Sequence, residues 1–149
     1  MILRPLTPED GARLLDLRAS IPLAPEQDAL DAALAAALEG GAAFGAEEGE
    51  QLVGAILLAP GDAEPFRVLC GVRPSHERRG IGSLLLRMAD DWAWEKGAAC
   101  LQLALHKEDL VARAFFDKHG YRSAGFRRGV LDAAGQPFDE LLLEKRLEL

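Results

Sequence analysis

Cysteine, aromatic residues and positive charge are all scarce in this chain of 149 residues, and no long apolar run is present. The two cysteines, Cys70 and Cys100, lack the spacing of a metal site or a disulfide framework, and each lies in an apolar stretch. No apolar run approaches the roughly 18 residues that a membrane-spanning helix needs, and the first residues lack the apolar segment of a signal peptide. We therefore expect buried thiols, no metal, no membrane association and a cytoplasmic location.

The charge balance argues against nucleic acid as a partner. Lysine and arginine number 17 against 24 aspartates and glutamates, which gives a net charge of −7. Proteins that bind duplex DNA usually carry a basic surplus. Hydrophobic residues at 49% and charged residues at 28% are typical of a globular protein, and the length fits one domain over residues 1–149.

Apolar periodicity and turn residues predict about seven strands and four helices in one mixed α/β sheet. The helices are expected to begin near Thr7, Pro25, Gly82 and Asp109, and to end near Pro22, Gly40, Gly97 and Gly120. Strands are expected at residues 2–6, 42–47, 51–59, 66–73, 100–105, 121–126 and 141–147. Strand, helix and strand in succession after residue 66 predict a right-handed crossover that joins a parallel pair.

The most informative segment is 70–83, with the sequence CGVRPSHERRGIGS. It runs from the end of a strand, through a basic turn with two glycines, into the start of a helix. The first turn of a helix has unpaired amide groups and a partial positive charge, and Arg78 and Arg79 add full charges, so this segment suits a phosphate. The dinucleotide fingerprint fails because Leu85 stands where its third glycine belongs, and the Gly-Lys-Ser/Thr of nucleoside triphosphatases is missing. Gly-x-Gly alone is also frequent in purely structural turns.

These residues resemble a known family. Val-x-Pro, a basic loop, Gly-x-Gly-Ser and a leucine-rich helix are similar to the acetyl-coenzyme A loop of GCN5-related N-acetyltransferases. The resemblance extends over the whole chain in the right order, through segments 4–10, 49–54, 112–121 and 140–147. It implies an acyl-CoA N-acyltransferase fold, with acetyl-CoA as co-substrate.

The resemblance also implies roles for individual residues. The amide of Cys70 would bind the thioester carbonyl, and Gly71 and Val72 would adjoin the pantetheine arm in the gap between two parallel strands. The diphosphate would be bound by Arg78, Arg79, Gly80, Ile81, Gly82 and Ser83. Asp109 replaces a frequent asparagine at the start of the late helix. Phe116 stands where a tyrosine commonly protonates the departing thiolate; the phenylalanine can contact the cofactor but cannot donate a proton.

The general base is open between two candidates. Phe66 occupies the position of the usual glutamate, so Glu64, two residues earlier, could act through water. His106 directly follows the strand 100–105 and would lie near the thioester in a splayed sheet; its imidazole can accept a proton near neutrality. His76 is expected at the surface or against a phosphate, and His119 is expected to have a structural role beside the helix-ending Gly120.

Three functions are therefore considered. The first is direct transfer of an acetyl group from acetyl-CoA to a primary amine of a small molecule or peptide. The second is a catalytically weak or inactive acyl-CoA-binding sensor, since both the tyrosine and the usual glutamate are missing. The third is a generic mononucleotide binder. Because relatives often pair through their final strands, a homodimer is also expected.

Overall fold

A seven-stranded mixed sheet forms the centre of the molecule, and helices cover both of its faces. The computed structural model describes residues 1–61, 66–132 and 134–147. The strands are β1 (Ile2–Pro5), β2 (Ala42–Glu48), β3 (Gln51–Pro60), β4 (Phe66–Val72), β5 (Cys100–His106), β6 (Arg122–Leu131) and β7 (Pro137–Arg146). The helices are α1 (Gly11–Leu17), α2 (Gln27–Gly40), α3 (Ile81–Glu95) and α4 (Leu110–Lys118), and short 3-10 turns cover Pro8–Asp10, Arg18–Ser20 and Pro74–His76.

The strand order in the sheet is β1-β2-β3-β4-β5-β7-β6. Every neighbouring pair is antiparallel except β4 and β5, which are parallel and joined by the crossover helix α3. The predicted mixed α/β fold, the antiparallel meander and the crossover are therefore confirmed.

Side-chain alternation along β3 divides the core into two layers. Ile56 and Leu58 pack on one face of the sheet with residues of α3 and α4. Ala55 and Leu57 pack on the other face with residues of α1 and α2. A strand that is buried on both faces has the nearly continuous apolar sequence seen here, LVGAILLA, because successive side chains point to opposite faces.

Two elements differ from their predicted extents. The first predicted helix is divided into α1 and two flanking 3-10 turns. The closing hairpin is longer than predicted, because β6 continues to Leu131 and β7 begins at Pro137. β6 is an exposed edge strand with register shifts between Ser123 and Gly125 and between Arg127 and Val130. These irregularities and the exposure of both faces remove the apolar alternation on which strand prediction depends.

An ion-pair network fastens the N-terminal strand to the segment that begins the first helical region. The guanidinium of Arg4 donates two hydrogen bonds of 2.8 Å to the carboxylate of Asp10 and one of 2.6 Å to Glu47. The Asp10 carboxylate also accepts from the Thr7 amide at 2.8 Å and from Arg13 at 3.2 Å. Asp10 is only 1% exposed. These donors, with Arg4 first among them, hold the pKa of Asp10 well below its usual value.

We predict that Asp10→Asn lowers the free energy of unfolding by about 2 kcal/mol at pH 7, because it removes one charge of a buried bidentate pair. A carboxylate whose folded-state pKa is depressed contributes stability that is complete above its unfolded pKa and is lost as the pH falls. The wild type should therefore lose this stability below about pH 4, and the variant should show a flatter acid limb. Urea unfolding between pH 3 and 7 measures both effects. Asp117→Asn, which alters the exposed pair with Arg113, is the matched control and should change stability by less than about 0.5 kcal/mol.

Candidate active site

The parallel strands β4 and β5 separate soon after they meet. They pair only at Phe66 with Leu101 and at Arg67 with Gln102, although β4 continues to Val72 and β5 to His106. Beyond Arg67, β4 remains paired with β3 on its other side. Because alternate residues of a strand direct their amides and carbonyls to opposite sides, backbone groups of the last residues of β4 face the gap. An extended ligand can pair with them there.

The end of β4, beyond its last pair with β5, lines a cleft of about 760 Å³, called the central cleft below. Its wall is formed by the end of β4, the loop after it, the first turn of α3, the first two turns of α4 and the segment 19–22. Among its lining residues are most of those named from the sequence: Cys70, Gly71, Val72, Arg78, Gly80, Ile81, Gly82, Ser83 and Asp109. The structure therefore brings together residues that are up to 39 positions apart in the chain.

The loop before α3 contains two residues in a left-handed conformation and ends at the central cleft. Arg78 has a φ of 64° and Gly80 a φ of 80°, both in the left-handed region. For a non-glycine residue such as Arg78 this conformation is uncommon and costs about 1 kcal/mol. The helical hydrogen bonds begin with the Leu84 amide, which donates to the Gly80 carbonyl at 3.0 Å. The amides of residues 81–83 precede that bond and are available to an anion.

Positive charge is concentrated at the same end of the central cleft. Arg78 and Lys118 line it, and Arg79 is the exposed neighbour of Arg78. Within the described residues neither Arg78 nor Arg79 forms an ion pair within 4 Å. Glu77 and Asp109 also line the cleft, but the carboxylate of Asp109 accepts a hydrogen bond from the Ala112 amide at the start of α4. The electrostatics and the amide geometry therefore favour the same kind of ligand, a phosphate or diphosphate.

At two glycines in the wall of the cleft, a neighbouring segment or side chain packs directly against the backbone. A Cβ on Gly71 would overlap the Ser20 carbonyl oxygen and lie 2.7 Å from its carbon, so the segment 19–22 packs directly on the β4 backbone. A Cβ on Gly82 would lie 2.9 Å from the ring of Phe115, which fills the space between α3 and α4. Neither approach is possible with a larger residue unless the neighbour moves.

Cys70 is 6% exposed, and burial alone raises the pKa of its thiol to about 12. A thiol with such a pKa is not ionised near neutrality and is a poor nucleophile. Any role of Cys70 in chemistry therefore falls to its backbone amide.

On α4 the phenylalanine that lines the central cleft is Phe115, whereas the sequence analysis assigned the cofactor contact to Phe116. Phe115 lines the cleft, whereas Phe116 is 3% exposed and packs in the core against Tyr121, with ring centroids 5.5 Å apart. Cleft-lining residues of α4 follow helical spacing, at Val111, Ala112, Phe115 and Lys118, and position 116 falls on the opposite, core-facing side. Asp109 caps the helix, since its carboxylate accepts from the Ala112 amide at 3.1 Å.

Neither candidate for the general base is among the residues that line the central cleft in the described part of the chain. His106 is exposed at the end of β5 and lines a separate cavity of about 250 Å³, where its ring packs on Phe138 with centroids 4.3 Å apart. Glu64 falls in the segment 62–65, outside the described residues. His76 lines the central cleft and pairs with Ser75 at 2.8 Å. His119, assigned only a structural role from the sequence, lies within hydrogen-bond distance of the cleft-lining Ser83.

Further cleft residues were missed by the sequence analysis. Helical periodicity on α4 could have identified Phe115 and Lys118, because both lie on one face with Ala112. No local signal places the segment 19–22 above Gly71, since that contact depends on the tertiary structure.

In the described part of the chain, no helix is long and apolar enough to span a membrane, and no group of three or more acidic, histidine or cysteine side chains could bind a metal.

Comparison with known proteins identifies the family. The sequence profile of the Acetyltransferase (GNAT) family matches residues 12–121. The chain therefore belongs to the GNAT acetyltransferase family, as its resemblance to these enzymes suggested. No curated protein matches the sequence significantly.

Solved structures share the fold at low sequence identity. Ribosomal-protein-alanine N-acetyltransferase from Brucella melitensis has a TM-score of 0.81 at 20% identity, covering 99% of this chain and 100% of that one. The ribosomal-protein-S18-alanine N-acetyltransferase from Escherichia coli also has a TM-score of 0.81, at 15% identity, covering 99% and 94%. The yncA protein of Salmonella typhimurium, whose structure includes its cofactor acetyl-CoA, has a TM-score of 0.81 at 18% identity, covering 100% and 95%.

We predict that Gly71→Ala lowers the free energy of unfolding by about 1–3 kcal/mol, because the added methyl group overlaps the Ser20 backbone and forces the segment 19–22 away from β4. Urea unfolding measures this loss. Gly125→Ala, on β6, is the matched control because its Cβ would meet Leu142 at an ordinary 3.6 Å, and it should cost less than about 1 kcal/mol. Equal stability of the two variants would show that the close approach at Gly71 does not constrain the cleft.

Proposed function

We propose that the protein transfers the acetyl group of acetyl-CoA directly to a primary amine of a small molecule or a peptide. Membership of the GNAT family supports the reaction class. The observation that carries the proposal is that the end of β4, beyond its last pair with β5, and the amide-rich start of α3 line one cleft. A ligand with an extended amide-containing arm and a diphosphate fits both features at once.

The diphosphate is proposed to bind at residues 78–83. The amides of Ile81, Gly82 and Ser83 would donate to its oxygens, and Arg78 and Arg79 would neutralise its charge. The pantetheine arm would lie along Gly71 and Val72, in the gap beyond the last pairing of β4 with β5. Asp109 contributes by capping α4 and so fixing the opposite wall. Phe115 is closer to such an arm than Phe116, which would act from the core behind it.

Acetyl-CoA supplies an activated thioester, and the protein's part is to bind and orient it. The amide of Cys70 would donate a hydrogen bond to the thioester oxygen, where negative charge develops during attack by the amine. Direct attack is favoured over an acyl-enzyme because the buried Cys70 thiol has a strongly raised pKa and is not ionised near neutrality.

The usual proton donor for the departing thiolate is missing, because Phe116 stands at its position. Phe116 has no proton to donate and is buried, so the leaving thiolate must take its proton from water or another group. General acid assistance contributes about 10²–10⁴-fold, so a slow reaction is expected without it. His106 and Glu64 stay the proposed candidates for the general base. His106 would act from the separate cavity that it lines, and Glu64 would act through a water molecule.

The amine is proposed to approach along the segment 19–22, which forms the wall of the central cleft beside Gly71. Two structural relatives acetylate ribosomal protein alanine, according to their names, and this supports a peptide amine as one acceptor class. Small-molecule amines remain the other class.

The decisive experiment measures thiol release from acetyl-CoA with a panel of small amines and peptide N-termini, together with the dissociation constant of CoA. Wild type should bind CoA and release thiol with at least one amine. Gly82→Glu should weaken CoA binding at least 100-fold, because it adds negative charge to the first turn of α3 and displaces the Phe115 ring, which its Cβ would meet at 2.9 Å; circular dichroism should show that the variant is folded. Leu84→Glu, which adds the same charge at an exposed position two residues later, should bind within about fivefold of wild type.

The outcomes separate the candidate functions. Binding of CoA without turnover for any amine would support the sensor instead. Tighter binding of ATP than of CoA would support the mononucleotide binder. Unchanged affinity in Gly82→Glu would contradict the placement of the diphosphate.

We further predict that His106→Asn lowers kcat/KM about 10²–10⁴-fold, because it removes the group proposed to accept the proton of the amine. Steady-state kinetics with a saturating amine measures this loss. An unchanged kcat/KM in the variant would exclude His106 and leave Glu64 as the candidate.

A homodimer through the final strands is also proposed. It is supported by β6, an edge strand with two exposed large apolar side chains, Phe126 at 42% and Leu131 at 66%. Such a strand offers unpaired backbone groups to a second copy. Sedimentation that finds only monomers at micromolar concentration would exclude it.

A further inference from the structure

His119, which the proposed mechanism does not use, lies within hydrogen-bond distance of Ser83, one of the residues proposed to bind the diphosphate. The Nε2 atom of His119 lies 3.0 Å from Oγ of Ser83, in the first turn of α3. The His119 ring also packs edge-on against Phe115, which lines the central cleft, with centroids 4.9 Å apart. His119 is half-buried at the end of α4, so its ring lies behind the serine rather than among the residues that line the cleft.

We propose that His119 is a positioning residue of the diphosphate site: in its protonated form it donates to Ser83 and turns the serine hydroxyl toward the ligand, so that cofactor binding is coupled to proton uptake. This inference rests on the proposed function. It assigns to His119 a role in binding beyond the structural one expected from the sequence.

The coupling follows from the hydrogen-bonding capacities of the two groups. A neutral imidazole whose proton is on Nδ1 must accept from Ser83, and the serine hydrogen is then directed to the ring. The neutral tautomer with its proton on Nε2 can donate to Ser83, so proton uptake removes only the accepting form. An imidazolium ring has only donors, so Ser83 Oγ must accept and its hydrogen is free to donate to a phosphate oxygen. The diphosphate and the protonated ring therefore favour each other, both through Ser83 and through their opposite charges.

The surroundings keep His119 mostly neutral before a ligand binds. Burial lowers its pKa below the usual value, and the positive charges of Lys118 on α4 and Lys145 on β7 lower it further. Asp90 on α3 acts in the opposite direction but is itself paired with Lys145. A diphosphate would bring negative charge to Ser83, and the pKa of His119 should rise in the complex. A pKa that is raised by binding means that the ligand binds more tightly as the pH falls.

The experiment uses dephospho-CoA, because the 3′-phosphate of CoA would itself titrate near pH 6. The dissociation constant is measured calorimetrically from pH 5.5 to 8, together with the protons taken up on binding. The chain has three histidines, so the ring signals of each can be assigned by NMR from single His→Gln variants. We expect wild type to bind about tenfold more tightly at pH 5.5 than at pH 8. The pKa of His119 should rise in the complex.

Three variants separate this role from a purely structural one. The side-chain amide introduced by His119→Gln can donate to Ser83 as the imidazolium does, but it carries no charge and cannot titrate. Binding by this variant should therefore lose the tenfold pH dependence, with a dissociation constant between the wild-type values at pH 5.5 and pH 8. His76→Gln removes the histidine that lines the cleft, and the pH dependence should persist in this variant because His119 is unchanged. Ser83→Ala should weaken binding several-fold and reduce the response of His119 to the ligand.

The result that would overturn the inference is saturable binding with an unchanged His119 pKa, or a pH dependence that persists in His119→Gln. A loss of affinity in His119→Gln that is equal at every pH would show that the histidine is only structural, and would also overturn it. Absence of any binding by dephospho-CoA and by CoA would instead overturn the proposed function, and this inference with it.

Discussion

The early separation of β4 and β5 is the constraint on which the rest of the site depends. The two strands share only two register pairs, yet each is held along its length by an antiparallel neighbour, β4 by β3 and β5 by β7. These outer ladders supply the backbone hydrogen bonds that β4 and β5 do not form with each other. The gap is therefore a stable part of the fold, and it leaves polar backbone groups that a peptide-like ligand can satisfy.

Close packing around the gap gives the central cleft its shape. Gly71 lets the Ser20 backbone lie against β4, and Gly82 lets Phe115 lie against the first turn of α3. Arg78 and Gly80 take left-handed conformations in the loop before α3, and residues 81–83, whose amides begin that helix, line the same cleft. A site of this kind needs little from individual side chains, which is consistent with an acetyltransferase fold retained at 15–20% sequence identity to its structural relatives.

Much of this arrangement could be predicted from the sequence, for identifiable reasons. The glycine-rich turn between a strand and a leucine-rich helix is local, so segment 70–83 indicated its own structure; its diphosphate ligand stays a prediction. Tertiary relations could not be predicted in the same way. The side of α4 that faces the cleft carries Phe115 and not Phe116, and the distance between Ser83 and His119 depends on how α3 and α4 pack. The extent of β6 was also missed, because an exposed and irregular edge strand carries no apolar alternation.

The central claim is that the amides of residues 81–83 bind the diphosphate of an acyl-CoA. Backbone amide NMR of the ¹⁵N-labelled protein during titration with CoA tests it most directly. The account predicts that the largest shift changes fall on Ile81, Gly82 and Ser83, with smaller changes along Cys70–Val72. Saturable binding whose largest changes lie elsewhere, for example at the cavity between α1 and α2, with residues 81–83 unaffected, would contradict it.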